Sequence, residues 1–237
     1  IIDTAIVSQA VLGVGGVLHL AAILPPNSEK DRNFTFKVNV DGTKNIVEAM
    51  RVGAPDATIV FTSSISTYGD TSGEEPPVTT QHSQDAIDVY ADSKISGEQV
   101  VKESGVNSVV LRIASIAVPE FLEPPDPWPF TAEQRVEMIH RDDVVDALRN
   151  ALDSREAIGN IFNIAGGESW RLKGKNYVED FFEVMGAPIE MAVYRDSAGW
   201  NDWYDTDESQ KILEYQNRSY QHYSNQMRSI IKEMMEE

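Results

Sequence analysis

The sequence predicts an α/β fold with a doubly wound parallel sheet, and three observations carry that expectation. Short, apolar runs, the second and third of them rich in β-branched residues, recur at residues 15–23, 57–64, 108–113 and 160–165. Segments with helical spacing of apolar residues lie between them, and glycine or proline marks most of the joints. Strands separated by helices of about 10–15 residues read as βαβ units, whose crossovers are right-handed.

The elements follow in chain order. GGVLHLAAI, residues 15–23, is bounded by glycine and by Pro25-Pro26 and suits a buried strand. The apolar stretch around it, residues 11–24, is interrupted by His19 and is too short for a bilayer. No basic run precedes it, so it does not read as a signal peptide. Residues 33–50 bring Phe36, Val40, Ile46, Val47 and Met50 to roughly helical spacing, with Gly53 where a C-cap would fall. ATIVFTSS, residues 57–64, is a second buried strand; residues 87–105 form a helix closed by Gly105; SVVLRI, residues 108–113, is a third strand. Asp142 reads as the N-cap of a helix running to about residue 154. NIFNIA at 160–165 is strand-like, 176–186 helical, and IEMAVY at 189–194 a short strand. From Ser219 onward, Tyr220, Tyr223, Met227, Ile230, Ile231 and Met234 make one apolar stripe that packs on the domain. The proline cluster at 119–129, with Trp128, reads as a lid or substrate loop.

Composition narrows the function. The 237 residues hold 20 Lys+Arg against 38 Asp+Glu, a formal charge of −18, and no cysteine. An anionic surface repels nucleic acid and anionic membranes, so neither is an expected partner. The lack of cysteine excludes disulfide scaffolds, thiolate metal sites and cysteine nucleophiles. No metal is expected, and the location read from these features is cytoplasmic.

Two clusters bear chemistry. In VYADSKISGE, Tyr90 and Lys94 stand four apart on a predicted helix, on one face. An ammonium beside a phenol favours the phenolate, which suits Tyr90 as a general acid/base. A solvated lysine beside an exposed tyrosine is the competing reading. FTSSISTYG, residues 61–69, places Ser63 and Ser64 at the carboxyl end of a predicted parallel strand, the edge where open α/β sheets bind ligands. A hydroxyl there can donate to and accept from a substrate oxygen.

These residues, in this order, resemble the extended short-chain dehydrogenase/reductases, the NAD-dependent epimerase/dehydratase family. HLAA at 19–22, NVDGTKNIVEA at 39–49, the serine motif at 61–69 and the Tyr90/Lys94 pair match its successive signatures. LRIAS at 111–115, IHRDDVVDAL at 139–148 and GNIFNIAGGE at 159–168 resemble its later ones. The resemblance implies a Rossmann-like sheet and NAD or NADP as cofactor. It implies that Ser64 polarises the reacting oxygen, that Tyr90 is the acid/base, and that Lys94 lowers the tyrosine pKa and holds the nicotinamide ribose. Leu20, Ala21, Ala22, Asn39 and Ser63 would lie along the cofactor with Tyr90 and Lys94. It also implies a homodimer formed through the helices at 33–50 and 87–105. Residues 1–115 would be part of the dinucleotide-binding domain; residues 116–237 would hold the substrate-binding segments, with 139–165 returning to the core.

The sequence departs from that pattern in two places. No glycine-rich turn joins a first strand to a helix, because Gly13, Gly15 and Gly16 precede a strand. On that ground about 60 further residues, two overlapping βαβ units, are expected before Ile1. The segment between Arg112 and His140 is short, which weakens a nucleotide-sugar reading. Trp128, Phe130, Trp170, Trp200, Trp203 and Tyr204 line either a pocket or the core. Three functions stay open: an epimerase/dehydratase-type oxidoreductase, a reductase of apolar ketones or alcohols, and a catalytically silent binding or regulatory protein.

Overall fold

The β-branched runs pair side by side and in parallel. The structure, a computed structural model, describes residues 1–121 and 123–236. Four strands, β1 (Gly16–His19), β2 (Thr58–Ser64), β3 (Asn107–Ile113) and β6 (Ile161–Ile164), form one sheet in the order β1-β2-β3-β6. All three pairings are parallel, with His19 opposite Phe61 and Ser64 opposite Ile113.

Alternation along the strands sorts their side chains into two cores. Ile59, Phe61 and Val110 point to one face. There they meet α1 (Thr4–Val11), α3 (Gly42–Gly53) and α4 (Val89–Glu103), through Val7, Met50 and Val101. Val60, Val109 and Leu111 point to the other face, onto α5 (Arg141–Asp153) through Val144, Ala147 and Leu148. The sheet is covered on both sides, as the doubly wound reading requires.

The predicted helix at 33–50 is three pieces: α2 (Arg32–Phe36), one wide π turn over Lys37–Asp41, and α3. The helix at 87–105 ends at Glu103, and Gly105 follows in the left-handed region at φ +74°. Asp142 does not cap α5. His140 does, its ring accepting from the Asp142 amide at 3.0 Å, while the Asp142 carboxylate turns outward to Arg141.

From residue 115 onward a second, smaller sheet builds the C-terminal α/β region, from strands that the sequence pattern does not single out. β4 (Ser115–Ala117) pairs in parallel with β5 (Arg135–His140), which pairs antiparallel with β7 (Arg171–Lys173). Against it pack α6 (Gly174–Met185) and α8 (Tyr220–Glu236). Tyr223, Met227 and Ile231 of the α8 stripe are buried, whereas Met234 is exposed. IEMAVY is not a strand: Ile189–Met191 is a 3-10 turn, and only Tyr194 makes a bridge, to Trp128. With Pro188 just before it and one bridged residue, this stretch cannot build a ladder. The segment 198–216 runs back to the first sheet, where Val78 exchanges backbone hydrogen bonds with Trp203 and Asp205, and then forms α7 (Asp207–Leu213). No helix among the described residues is long and apolar enough to cross a membrane.

Candidate active site

A cleft of about 260 Å³ opens at the carboxyl ends of β1, β2 and β3. Ser63, Ser64, Tyr90 and Lys94 line it, together with Leu20 and Ala22 from the exit of β1. The sequence motifs at 19–22, 61–69 and 90–94 thus converge on one edge of the sheet. Ala21, on the same exit, is exposed and does not face the cleft.

Backbone chemistry fixes each group. Ser64 ends β2 and caps the 3-10 turn Ile65–Tyr68. Its hydroxyl accepts from the Ser66 amide at 3.1 Å and from the Ser66 hydroxyl at 2.9 Å, which leaves its own proton free to donate. The first turn of α4 is held by two acids. Asp88 accepts from the Ala91 amide at 2.7 Å, and Glu29 from the amides of Val89 and Tyr90 at 3.0 and 3.2 Å.

Lys94 stands one turn beyond Tyr90. Its Nζ lies 4.6 Å from the centre of the Phe61 ring and 5.9 Å from that of Tyr90. The approach of α4 to β2 depends on Gly97, where a Cβ would fall 2.7 Å from the tip of Phe61. Lys94 is 3% exposed, and its ammonium makes no hydrogen bond among the described residues. A buried cation without an acceptor, facing a cleft, fits a ligand rich in hydroxyl or phosphate oxygens.

The electrostatics differ from the sequence expectation at Tyr90. Burial pushes the phenol up to about 12; Asp88 adds to the rise and the Ser64 side chain opposes it. Lys94 is itself brought down to about 8 by burial, with Glu98 acting against the fall, and at Tyr90 burial outweighs the neighbouring lysine. The phenol is therefore neutral at pH 7 and the lysine largely charged. His19, 3% exposed, is lowered to about 4 by burial and by the charge on Lys94. It is a neutral core residue joined to Thr43 at 2.9 Å.

Asn39 does not face the cleft. It sits buried in the π turn, where its amide accepts from the Ile23 amide at 2.7 Å and donates to the Ile23 carbonyl and to Ser93, 3.2 and 2.9 Å away. Wide turns of this kind recur at functional sites because they aim one side chain off the helical path. Here it ties the exit of β1 to α4. The aromatic residues do not line the cleft either: Trp128, Phe130, Trp170 and Tyr204 are core, at 4% exposure or less.

Sequence reasoning missed Glu98 and Arg112. Glu98 lies one turn past Lys94 and takes Ser63, Arg112 and Gln84 as donors. The signal was present as an arginine inside an apolar strand, since such a charge is buried only when paired.

Known proteins resemble the chain in sequence and in fold. The sequence profile of the 3-beta hydroxysteroid dehydrogenase/isomerase family matches residues 1–115. D-erythronate dehydrogenase of Cupriavidus necator is 30% identical over 122 residues, 49% of this chain and 37% of that protein. The uncharacterized protein y4nG of Sinorhizobium fredii is 33% identical over 105 residues, 44% of this chain and 25% of that protein. The matched stretches thus span about a third and a quarter of those relatives. Among solved structures, a short-chain dehydrogenase/reductase superfamily protein from Agrobacterium tumefaciens with bound NAD superposes with a TM-score of 0.81. It is 20% identical, and the match covers 99% of this chain and 84% of that one. The dTDP-glucose 4,6-dehydratase DesIV of Streptomyces venezuelae, solved as a double mutant with NAD, gives 0.82 at 17% identity, over 98% of this chain and 77% of that one.

Proposed function

We propose that this chain is an extended short-chain dehydrogenase/reductase and takes part in an NAD(P)-dependent oxidoreductase reaction on a hydroxyl or ketone substrate, of the epimerase/dehydratase type. The observation that carries the reading is the convergence of Ser64, Tyr90 and Lys94 on one cleft at the carboxyl edge of a parallel sheet. A nicotinamide dinucleotide bound there would supply or accept the hydride. Lys94 and Tyr90 would hold its ribose hydroxyls, and Leu20 and Ala22 would pack along it.

The remaining work falls to the chain. Ser64, whose hydroxyl stands at the Tyr90 phenol, donates to the reacting oxygen and orients it. Tyr90, neutral at pH 7, passes its proton to that oxygen as hydride reaches the carbon, so that a ketone becomes an alcohol. In the reverse direction the phenolate must form first, which the high pKa of Tyr90 opposes until positive charge stands beside it. Lys94 supplies one such charge below about pH 8.

A second reading is specific to the wall of the cleft. Leu24, Ile113, Ile116, Val144 and Leu148 make most of it apolar, which favours a reductase of apolar ketones or alcohols. Saturable binding of NAD(H) or NADP(H), followed by nucleotide fluorescence, tests the function; its absence in the full-length protein would leave the silent-module reading standing. Tyr90→Phe is expected to lower turnover about 10²–10⁴-fold. Turnover equal to wild type would remove Tyr90 from the chemistry. A homodimer through α2, α3 and α4 is part of the proposal, with Phe34 and Val52 exposed on those helices. Light scattering that finds only monomers at high concentration would exclude it.

A further inference from the structure

Glu98 stands apart from the other acids near the cleft because every donor around it is a side chain. Its Oε1 accepts from Ser63 at 2.5 Å and from Arg112 Nε at 3.0 Å. Its Oε2 accepts from Arg112 Nη2 at 2.7 Å and from Gln84 at 3.1 Å. Four donors converge on a carboxylate that is 6% exposed. The acid thereby joins the last turn of β2, through Ser63, to β3, through Arg112, on the helix that carries Tyr90 and Lys94. At i+4 from Lys94 it faces the same side of α4.

We propose that Glu98 is a positioning residue which holds the Lys94 ammonium, charged, at the cleft, through its own fixed negative charge and its grip on β2 and β3. The inference rests on the reading of Lys94 as the cation that holds the cofactor. Among the described residues, the groups around Lys94 leave Glu98 as the acid placed to do this. From α4 they are Tyr90 and Glu98; from β1, the neutral His19; from β2, the Phe61 ring and two serines; from β3, Arg112, already turned to Glu98 and Tyr68. The acids at the start of α4, Glu29 and Asp88, are spent on backbone amides. On the outer face Asp92 is paired with Arg32.

The test compares Glu98→Gln with Glu98→Asp in the whole protein, with NADH as the probe. The Lys94 titration is read from the ¹⁵N shift of its side chain. Glu98→Gln should lower the midpoint from about 8 by about one pH unit, the scale of a nearby charge in a protein interior. Glu98→Asp keeps the charge and should leave the midpoint within about half a unit. Weakening of NADH binding by Glu98→Gln should then depend on pH, near unity at pH 6 and about eightfold at pH 8.5, following the charged fraction of Lys94. A loss of affinity equal at both pH values, or a midpoint that moves equally in both variants, overturns the proposal. Should Glu98→Gln fail to fold, the Glu98→Gln/Arg112→Gln pair is compared with Arg112→Gln alone, and the Lys94 midpoint must be the lower in the pair. If the wild type binds no NADH, the proposed function fails, and the Lys94 midpoint alone decides this inference.

Discussion

Two buried carboxylates, one under each sheet, meet their arginines in different ways. Glu98, below the parallel sheet, is gripped by two nitrogens of Arg112, whose side chain is 4% exposed. Glu137, on β5 of the smaller sheet, is fully buried too, yet Arg171 reaches it with Nε alone, at 3.2 Å, from a half-buried position. Its other donors are the backbone amides of Gly167 and Tyr204, both at 2.9 Å. Burial raises Glu137 to about 7, against the pull of those amides and of Arg171. The first acid is gripped by a fork of the right shape. The second is a clamp on chain segments remote in sequence, and its charge is optional at neutral pH.

This contrast is sharpest in what each arginine is worth. Arg112→Met strands a buried carboxylate and should cost about 3–5 kcal/mol in urea unfolding. Arg171→Met leaves Glu137 free to take up a proton and should cost about 1–2 kcal/mol. Equal losses would erase the distinction.

The next effect is in pH. Glu137 keeps its proton longer folded than unfolded, so its contribution to stability is full below about pH 4.5 and is lost as pH rises toward 7. That loss is about 3 kcal/mol, and Glu137→Gln should flatten the stability curve between those limits. An unchanged curve would mean that Glu137 is not the group responsible.

The smallest effect lies at the helix starts. Asp88 caps α4, whereas Lys173 at the start of α6 makes no such bond. Asp88→Ala should cost about 1 kcal/mol, and Lys173→Ala much less, by thermal unfolding at equal pH. Because Asp88 also raises Tyr90, the same variant should lower the phenol midpoint in an absorbance titration.

How much of this was legible in the sequence follows from the range of the interactions. β2 and β3 were found within a residue because both of their faces are buried and they read as plain apolar runs. β4 and β7 are three residues each, too short to show a period, and they gain their pairing only from β5 between them. Residues 4–11 form a helix that the sequence pattern does not announce, because no apolar period stands out there beside the longer run that follows. In the site, the Tyr90/Lys94 spacing is local and was read directly. The pairing of Glu98 with Arg112 depends on how α4 lies across β3, which no spacing encodes. The direction of the Tyr90 shift failed for a related reason: the spacing of two residues says nothing of how deeply both are buried, and here burial outweighs the neighbour.

Gly97 sets one more condition. With only hydrogen at this position, α4 rests on the edge of the Phe61 ring, the same ring that lies under Lys94. Any side chain at 97 would meet the tip of that ring, so that either Phe61 or α4 must give way. The packing under Lys94 is therefore gauged by a residue that carries no chemistry of its own, and a single methyl group there would press on the ring beneath the ammonium while leaving every functional group chemically intact.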